Sequence, residues 1–369
     1  MKIKFEQFLN GRHSWGIVGQ NLARSLIGKG NEVHLYSTNG IDNFPDDLRP
    51  YLRGVIKEKE PRNYKTDPAY DMQISYTAPL NFGKYLANGS KNRFGIWCYE
   101  WPILPQGMAK HHVFTDKILA PSEFAKYCFV NSKVPEEKVM VLPHGINLKD
   151  YEDKKVYALK TKKTIKILIN IGQSHIRKNL AGTLKAFGEA FTKKDDVCLV
   201  AKIHFEKAQH SFDVDAKKIL LEFRKQYPNH AEIEFITEYI PNIIHLYNAC
   251  DIVYTLSYCE GYYMPGLEAL GCNKLNIAPR YGGQLDFLND RNSLLVDGRM
   301  IRASRQMQYW TANVMNTCFE SDIQDASAKL RLAVYEYDSL INKFENNIKE
   351  TANKYTWENA TNKLLEMVV

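Results

Sequence analysis

The chain has 369 residues, 44% of them hydrophobic and 25% charged, with a formal net charge of +7. That length exceeds one ordinary core and predicts two domains, and the balance excludes a disordered or fibrous chain. The mild positive charge is compatible with an anionic ligand or an anionic membrane surface and selects neither.

The opening MKIKFEQFLNGRHSW holds no apolar signal core, and no apolar run is long enough to span a bilayer. A cytoplasmic chain, at most peripheral at a membrane, is therefore expected. KIKFEQFL reads as a strand. GIVGQNLARSLIGKG reads as a helix in which Val18, Leu22 and Leu26 recur at one-turn spacing, with Gly28 or Gly30 as its stop. EVHLYS, MQISYT, RFGIWCY, KILAPS and KVMVLPHG follow as short strands with helical stretches between them, the rhythm of an open, mostly parallel sheet. Within this half FGIWCYEWPILP sets Glu100 between Tyr99 and Trp101, an aromatic surface with a carboxylate that suits a sugar acceptor. His112 is a further candidate to orient an acceptor hydroxyl, although a lone histidine is more often structural; His13 and His144 are weaker, and His144 reads as part of a turn.

Asn147 to Thr164 is polar and Lys-rich, and predicts a linker at 147–164; a solvated linker explains its lysines better than a nucleic-acid patch. The rhythm then restarts as IKILINIG, VCLVAKI, AEIEFIT, DIVYTLS and KLNIAP, alternating with helices, and from about Ser304 the chain is expected to be mainly helical. The fold class is thus α/β, with two doubly wound Rossmann-like domains over residues 1–150 and 165–345. In such sheets ligands bind off the carboxyl ends of the strands, which places the expected site in the cleft between the domains. The cysteines show no C-x-x-C and no metal spacing, and read as reduced core thiols.

The segment EGYYMPGLE, Glu260 to Glu268, follows the apolar run DIVYTLS and leads into a helix. Pro265 fits a first helical turn, so the backbone N–H groups of Tyr262, Tyr263 and Met264 are expected at a helix N-terminus, an anion site suited to phosphate. Carboxylates at both ends, Glu260 and Glu268, suit hydroxyl groups. Donors in the middle and hydroxyl acceptors at the ends fit sugar, diphosphate and ribose in a row, as in a nucleotide sugar. A glutamate in a first turn also serves the helix dipole with no ligand present. Upstream, IKILINIG ends at Gly172 and runs into QSHIRKNLAGTLKAF, where Arg177 and Lys178 stand before a helix that Asn179 is placed to start. Such cations can neutralise a departing diphosphate. The alternative, a carboxylate pair holding a divalent metal, finds only Asp213 and Asp215, which read as a helix start; no metal and no cofactor is expected.

With these residues together, the chain resembles glycosyltransferase family 4 of the GT-B fold. The resemblance is densest from about Lys117 to Asp297. It is carried by APSEFAKYCFVNSKVPEEKVMVLPHGIN, by IGQSHIRKNLAGTLKAF of the branch with an R-K-N triplet, by the stretch ending in the E-x7-E motif at Glu260 and Glu268, and by YTWENATNKLL near the end. It implies that the last helix, within 351–369, crosses back to the first domain. It implies that Glu260 contacts hydroxyls of the transferred sugar, that Glu268 contacts the ribose, and that Gly261, Tyr262, Tyr263 and Met264 meet sugar or phosphate. Arg177 and Lys178 would hold the diphosphate, and Gly16 or Gly19 would belong to the Gly-rich first loop. Two departures stand out. Gln173 occupies a position where many members have Arg, and Tyr263 one where Gly is common. Gly282 and Gly283 fit a loop that closes on the donor, or a plain turn.

The resemblance implies metal-independent transfer of a hexose, with anomeric configuration retained, from GDP-mannose or a UDP-sugar to a glycan, lipid-linked or protein acceptor. Nucleic acid is not expected as a partner. A sugar-nucleotide epimerase or phosphorylase on the same architecture is one rival. A catalytically silent homologue that binds nucleotide sugar or glycan as a scaffold is another. An NAD-type enzyme is disfavoured, because no G-x-G-x-x-G follows the first strand of either half.

Overall fold

The protein is described from a computed structural model that covers the chain except residues 11–13, 39, 57–68, 87–89, 173–174, 204–212, 305, 308–314 and 369. His13 and Gln173 lie outside the described residues. The chain divides into two compact units, Met1–Asn147 with Tyr355–Val369, and Leu148–Lys354.

The first unit runs β1 (Lys2–Gln7), α1 (Ser14–Gly28), β2 (Glu32–Ser37), β3 (Leu52–Val55), β4 (Met72–Tyr76), α2 (Phe82–Tyr85), β5 (Arg93–Ile96), β6 (Lys117–Ala120), α3 (Glu123–Asn131) and β7 (Val139–Val141). Its strands form one parallel sheet in the order β3-β2-β1-β4-β5-β6-β7. The second unit holds β8 (Ile165–Gly172), α4 (Leu180–Ala190), β9 (Val197–Ile203), α5 (Ala216–Gln226), β10 (Glu232–Ile236), α6 (Ile244–Ala249), β11 (Ile252–Tyr254), α7 (Met264–Gly271), β12 (Leu275–Pro279), β13 (Ser293–Val296), β14 (Gly298–Arg302), β15 (Thr317–Ser321), α8 (Ile323–Tyr335) and α9 (Tyr337–Lys354). Its main sheet is parallel, in the order β10-β9-β8-β11-β12-β13. Strand order therefore reverses between β8 and β11, and a crevice at their carboxyl ends is the natural ligand position in such a sheet. Continuous apolar runs such as VCLVAKI, buried along their whole length, are what a sheet covered on both faces requires.

The last helix, α10 (Trp357–Glu366), belongs to the first unit. Ser25 Oγ donates to Trp357 O at 3.1 Å and Thr361 Oγ1 to Ser25 Oγ at 2.7 Å, while Trp357, Ala360 and Leu364 enter the core built on β1, β4 and α1. The segment expected as a linker is fastened to the second unit. Tyr157 N donates to His245 O at 2.8 Å, and the Lys160 and Thr161 amides donate to the Glu234 carboxylate at 2.9 and 2.8 Å.

Helix from about Ser304 onward is corrected. β14 and β15 pair as an antiparallel ladder from Gly298↔Ser321 to Arg302↔Thr317, and the helices begin only at Ile323. TCFES buries Cys318 and Phe319, and needs a partner strand that local periodicity cannot reveal. Among the described residues, no helix is long and apolar enough to cross a membrane.

Candidate active site

Loops at the carboxyl ends of β8, β11 and β12 in the second unit build the site. β11 leaves the sheet into Thr255–Tyr263 and then α7. Tyr263 caps α7 at φ 73°, a left-handed conformation that bulky residues rarely adopt, and gives it no side-chain hydrogen bond. Left-handed backbone explains why glycine is common at this place in the family that the chain resembles. The Tyr263 ring is turned into the protein. It is 5% exposed and lies against Gly266, where an added Cβ would come within 2.6 Å of the ring. Gly261 and Tyr262 are buried as well, the latter packing on Phe287 with ring centroids 5.2 Å apart, and Met264 is half-buried.

The chain after β8 turns through Ile176–Lys178 in a single 3-10 turn, and Asn179 then caps α4. Asn179 adopts φ 50°, accepts from Gly182 N at 3.0 Å and donates to Leu256 O at 3.0 Å, so it ties the β8 loop to the β11 loop. That tie brings the two sequence motifs together. Arg177 Nη1 donates to Glu260 Oε2 at 2.7 Å and to Cys259 O at 3.0 Å, and Lys178 Nζ donates to Glu260 Oε1 at 2.6 Å. Burial pushes the Glu260 carboxyl up, but Arg177, Lys178 and a hydrogen bond from Ser257 outweigh it and hold it down at about 2. Glu260 is thus a buried acceptor, held in its ionised form between two cations.

Glu268 lies in the second turn of α7, one turn later than expected, and is half-buried. Tyr247 Oη, on α6, donates to Glu268 Oε2 at 2.7 Å, and Asn170 Nδ2, on β8, donates to Tyr247 Oη at 3.3 Å. Burial raises the Glu268 carboxyl above the ordinary range, and the Tyr247 bond opposes this. One carboxylate is therefore strongly ionised and the other biased toward its neutral form.

Gly282 and Gly283 support Glu260 from behind. Gly283 N donates to Glu260 O at 2.8 Å. Gly282 has φ 100°, and a Cβ there would lie 2.9 Å from Gln284 Oε1 and 3.0 Å from Glu260 O. Gly282→Ala is expected to strain the loop, cost about 1–2 kcal/mol and shift Glu260 off its cations. Turnover at least about tenfold lower with a lower melting temperature would follow; unchanged kcat in that variant would show that the loop does not position Glu260.

Sequence reading missed Tyr247, Asn170, Ser257 and Gln284, because polar tips inside apolar segments carry no local signature. Asp215 caps α5 by accepting from Lys218 N at 3.0 Å, and Asp213 is bridged to His175 along the backbone. A cavity of about 990 Å³ also opens in this unit, beside α4, α5 and the β14–β15 hairpin, and Glu260, Arg177, Lys178 and Glu268 do not line it.

Of the acceptor candidates in the first unit, Tyr99 and Trp101 require correction. Tyr99 and Trp101 are 3% and 4% exposed, and Tyr99 packs at a tilt on Trp97 with centroids 4.7 Å apart and donates to Ile103 O at 3.2 Å. They are core, not a displayed aromatic face, because β5 ends at Ile96 and the chain dives inward after it. Glu100 is half-buried. His112 sits half-buried in the turn Ala109–Phe114, with burial and then Lys138 lowering its pKa. Gly16 and Gly19 are buried in α1. A Cβ at Gly19 would run into the Gln7 side chain, so close packing on β1 is reason enough for that glycine.

Residues 152–313 match the family model described as Glycosyl transferases group 1. A comparison with curated proteins gives no match. Among solved structures, a glycosyltransferase from Rickettsia africae superposes with TM-score 0.73 at 16% identity, over 100% of this chain and 97% of that one. HepE from Anabaena, solved with UDP and glucose, gives TM-score 0.74 at 13% identity over 99% and 98% of the two chains. Sucrose-phosphate synthase from Thermosynechococcus elongatus gives 0.70 at 14% over 99% and 98%. The fold is that of the GT-B enzymes, and residues 152–313 carry the match to the glycosyl transferases of group 1.

Proposed function

We propose that the chain is a retaining hexosyltransferase of family 4, which moves a hexose from a nucleoside diphosphate sugar to a hydroxyl of a glycan, lipid-linked or protein acceptor. It works without a metal ion, in the cytoplasm or at the membrane surface. The observation that carries this reading is the ionised Glu260 held by Arg177 and Lys178 beside the N-terminus of α7, with Glu268 one further turn along the same helix. Glu260 has only acceptor capacity, which suits hydroxyls of the transferred sugar. Arg177, Lys178 and the N-terminal end of the α7 dipole suit the diphosphate, whose charge grows as the sugar leaves. Glu268 with Tyr247 suits the ribose. A phosphate oxygen of the leaving group can take the acceptor proton, so the site needs no strong protein base.

The UDP and glucose found with HepE support a UDP-hexose as the first donor to test; the R-K-N triplet supports GDP-mannose as the second. A thermal-shift series with UDP, GDP, ADP and their sugars, with and without EDTA, tests the reading. One nucleotide is expected to stabilise the protein by about 2.7 kcal/mol at a hundredfold excess over its Kd, with EDTA making no difference. Release of nucleoside diphosphate only when acceptor is present separates transfer from epimerisation and phosphorolysis. Nucleotide binding without turnover on any acceptor would instead favour the silent scaffold.

A further inference from the structure

β9 reads VCLVAKI, and all of its residues are buried. One of them is Lys202, which is 6% exposed and whose Nζ has no hydrogen-bond partner among the described residues. An ammonium removed from water without a partner carries a large desolvation cost that folding alone does not return. Burial lowers its pKa, and the acidic group that opposes this is Glu238, beyond the end of β10, which is itself engaged by Tyr157 Oη.

Its place in the sheet connects it to the site. Lys202 is the register partner of Asn170 on β8, and register partners on neighbouring strands project to the same face, about 4.8 Å apart. Asn170 is the residue that reaches Tyr247, and through it Glu268. Lys202 thus stands on the Glu268 face, at the carboxyl edge, beside the strand that runs into Arg177 and Lys178. A charge argument points the same way. Arg177 and Lys178 both close on Glu260, so that cluster offers one net positive charge, less than the charge of a diphosphate.

We propose that the Lys202 ammonium binds a phosphate oxygen of the donor's nucleoside diphosphate, as a third cation of the site that its primary motifs do not include. This rests on the nucleotide-sugar reading above and extends it to a residue outside the loops.

The test is titration calorimetry of the full chain, Lys202→Met and Lys202→Arg with UDP, GDP, uridine and guanosine, together with ligand-free melting. The nucleoside diphosphate that the wild type binds is expected to lose about tenfold or more in affinity in Lys202→Met. Affinity for the matching nucleoside should stay unchanged, and Lys202→Arg should recover part of the loss. Ligand-free Lys202→Met is expected to melt at or above the wild-type temperature, since it removes a buried charge that has no hydrogen-bond partner among the described residues. Equal diphosphate affinity in wild type and Lys202→Met would overturn the proposal and leave the transferase reading standing. An equal loss for the nucleoside would overturn it in favour of a base or ribose contact, and a lowered ligand-free melting temperature would overturn it in favour of an internal structural partner. A wild type that binds neither diphosphate removes both readings.

Discussion

Glu260→Gln is expected to lower turnover by about two to three orders of magnitude while nucleoside diphosphate binding is kept or strengthened. The amide keeps the shape of the carboxylate, but it no longer offers two anionic oxygens to the sugar hydroxyls that the proposed function assigns to it. Arg177 and Lys178, which now spend their charge on Glu260 at 2.7 and 2.6 Å, become available to the diphosphate. A fall in kcat with Kd for the nucleotide at or below the wild-type value is the expected pattern. Loss of nucleotide binding in step with turnover would mean that the carboxylate serves only to hold the two cations.

The same variant reports on acid stability. The Glu260 carboxyl is depressed from its ordinary 4.5 to about 2, so the fold favours the ionised form. Its contribution, on the order of 3 kcal/mol, is complete above about pH 4.5 and is lost as the pH falls through about 2. Glu268 runs the other way, because its carboxyl is raised and the fold favours the protonated form. Both proteins retain Glu268, so it cancels in the comparison. Wild type should therefore be the more stable protein near neutrality, by a margin that shrinks on acidification, as read from urea midpoints across that range. A margin independent of pH would remove the ionised pair as its source.

Gly145→Ala carries the largest expected loss of stability. A Cβ there would collide with the backbone of Thr356 and Trp357, and backbone cannot yield as a flexible side chain can. At this place Ile146 N donates to Tyr355 O at 3.0 Å and Trp357 N donates to Ile146 O at 3.2 Å, which joins the start of α10 to the end of the first unit. His144 lies beside it, its ring centroid 5.8 Å from that of Trp357, and burial drives its pKa down to about 3, so it stays neutral and packs. Losing the joint frees Trp357, Ala360 and Leu364 from the core. A loss of about 3 kcal/mol or more is expected, as a lower urea midpoint and early proteolysis of the last residues. A variant with wild-type stability and an intact C-terminus would show that the helix is held by its packing on α1 alone.

Much of this was legible in the residues themselves. Apolar runs of strand length alternating with helical spacing required two parallel α/β units, and IRKN after a strand with EGYYMPGLE before a helix marked two loops at strand ends. Asn179 as a helix cap also follows from local chemistry, because an Asx side chain satisfies its own neighbours. Contacts between distant segments were not legible. Local patterns report how a residue meets its neighbours in sequence, whereas Glu260 meets Arg177 and Lys178 only after β8 and β11 pair in the sheet. The aromatic run at Tyr99 and Trp101 looked like a surface and is core, since aromatic residues serve both and only packing selects between them. The sequence by itself determined the class of fold and the types of chemical group at the site. Tertiary structure alone decided their ionisation and their neighbours, because burial and through-space charge depend on where the whole chain goes.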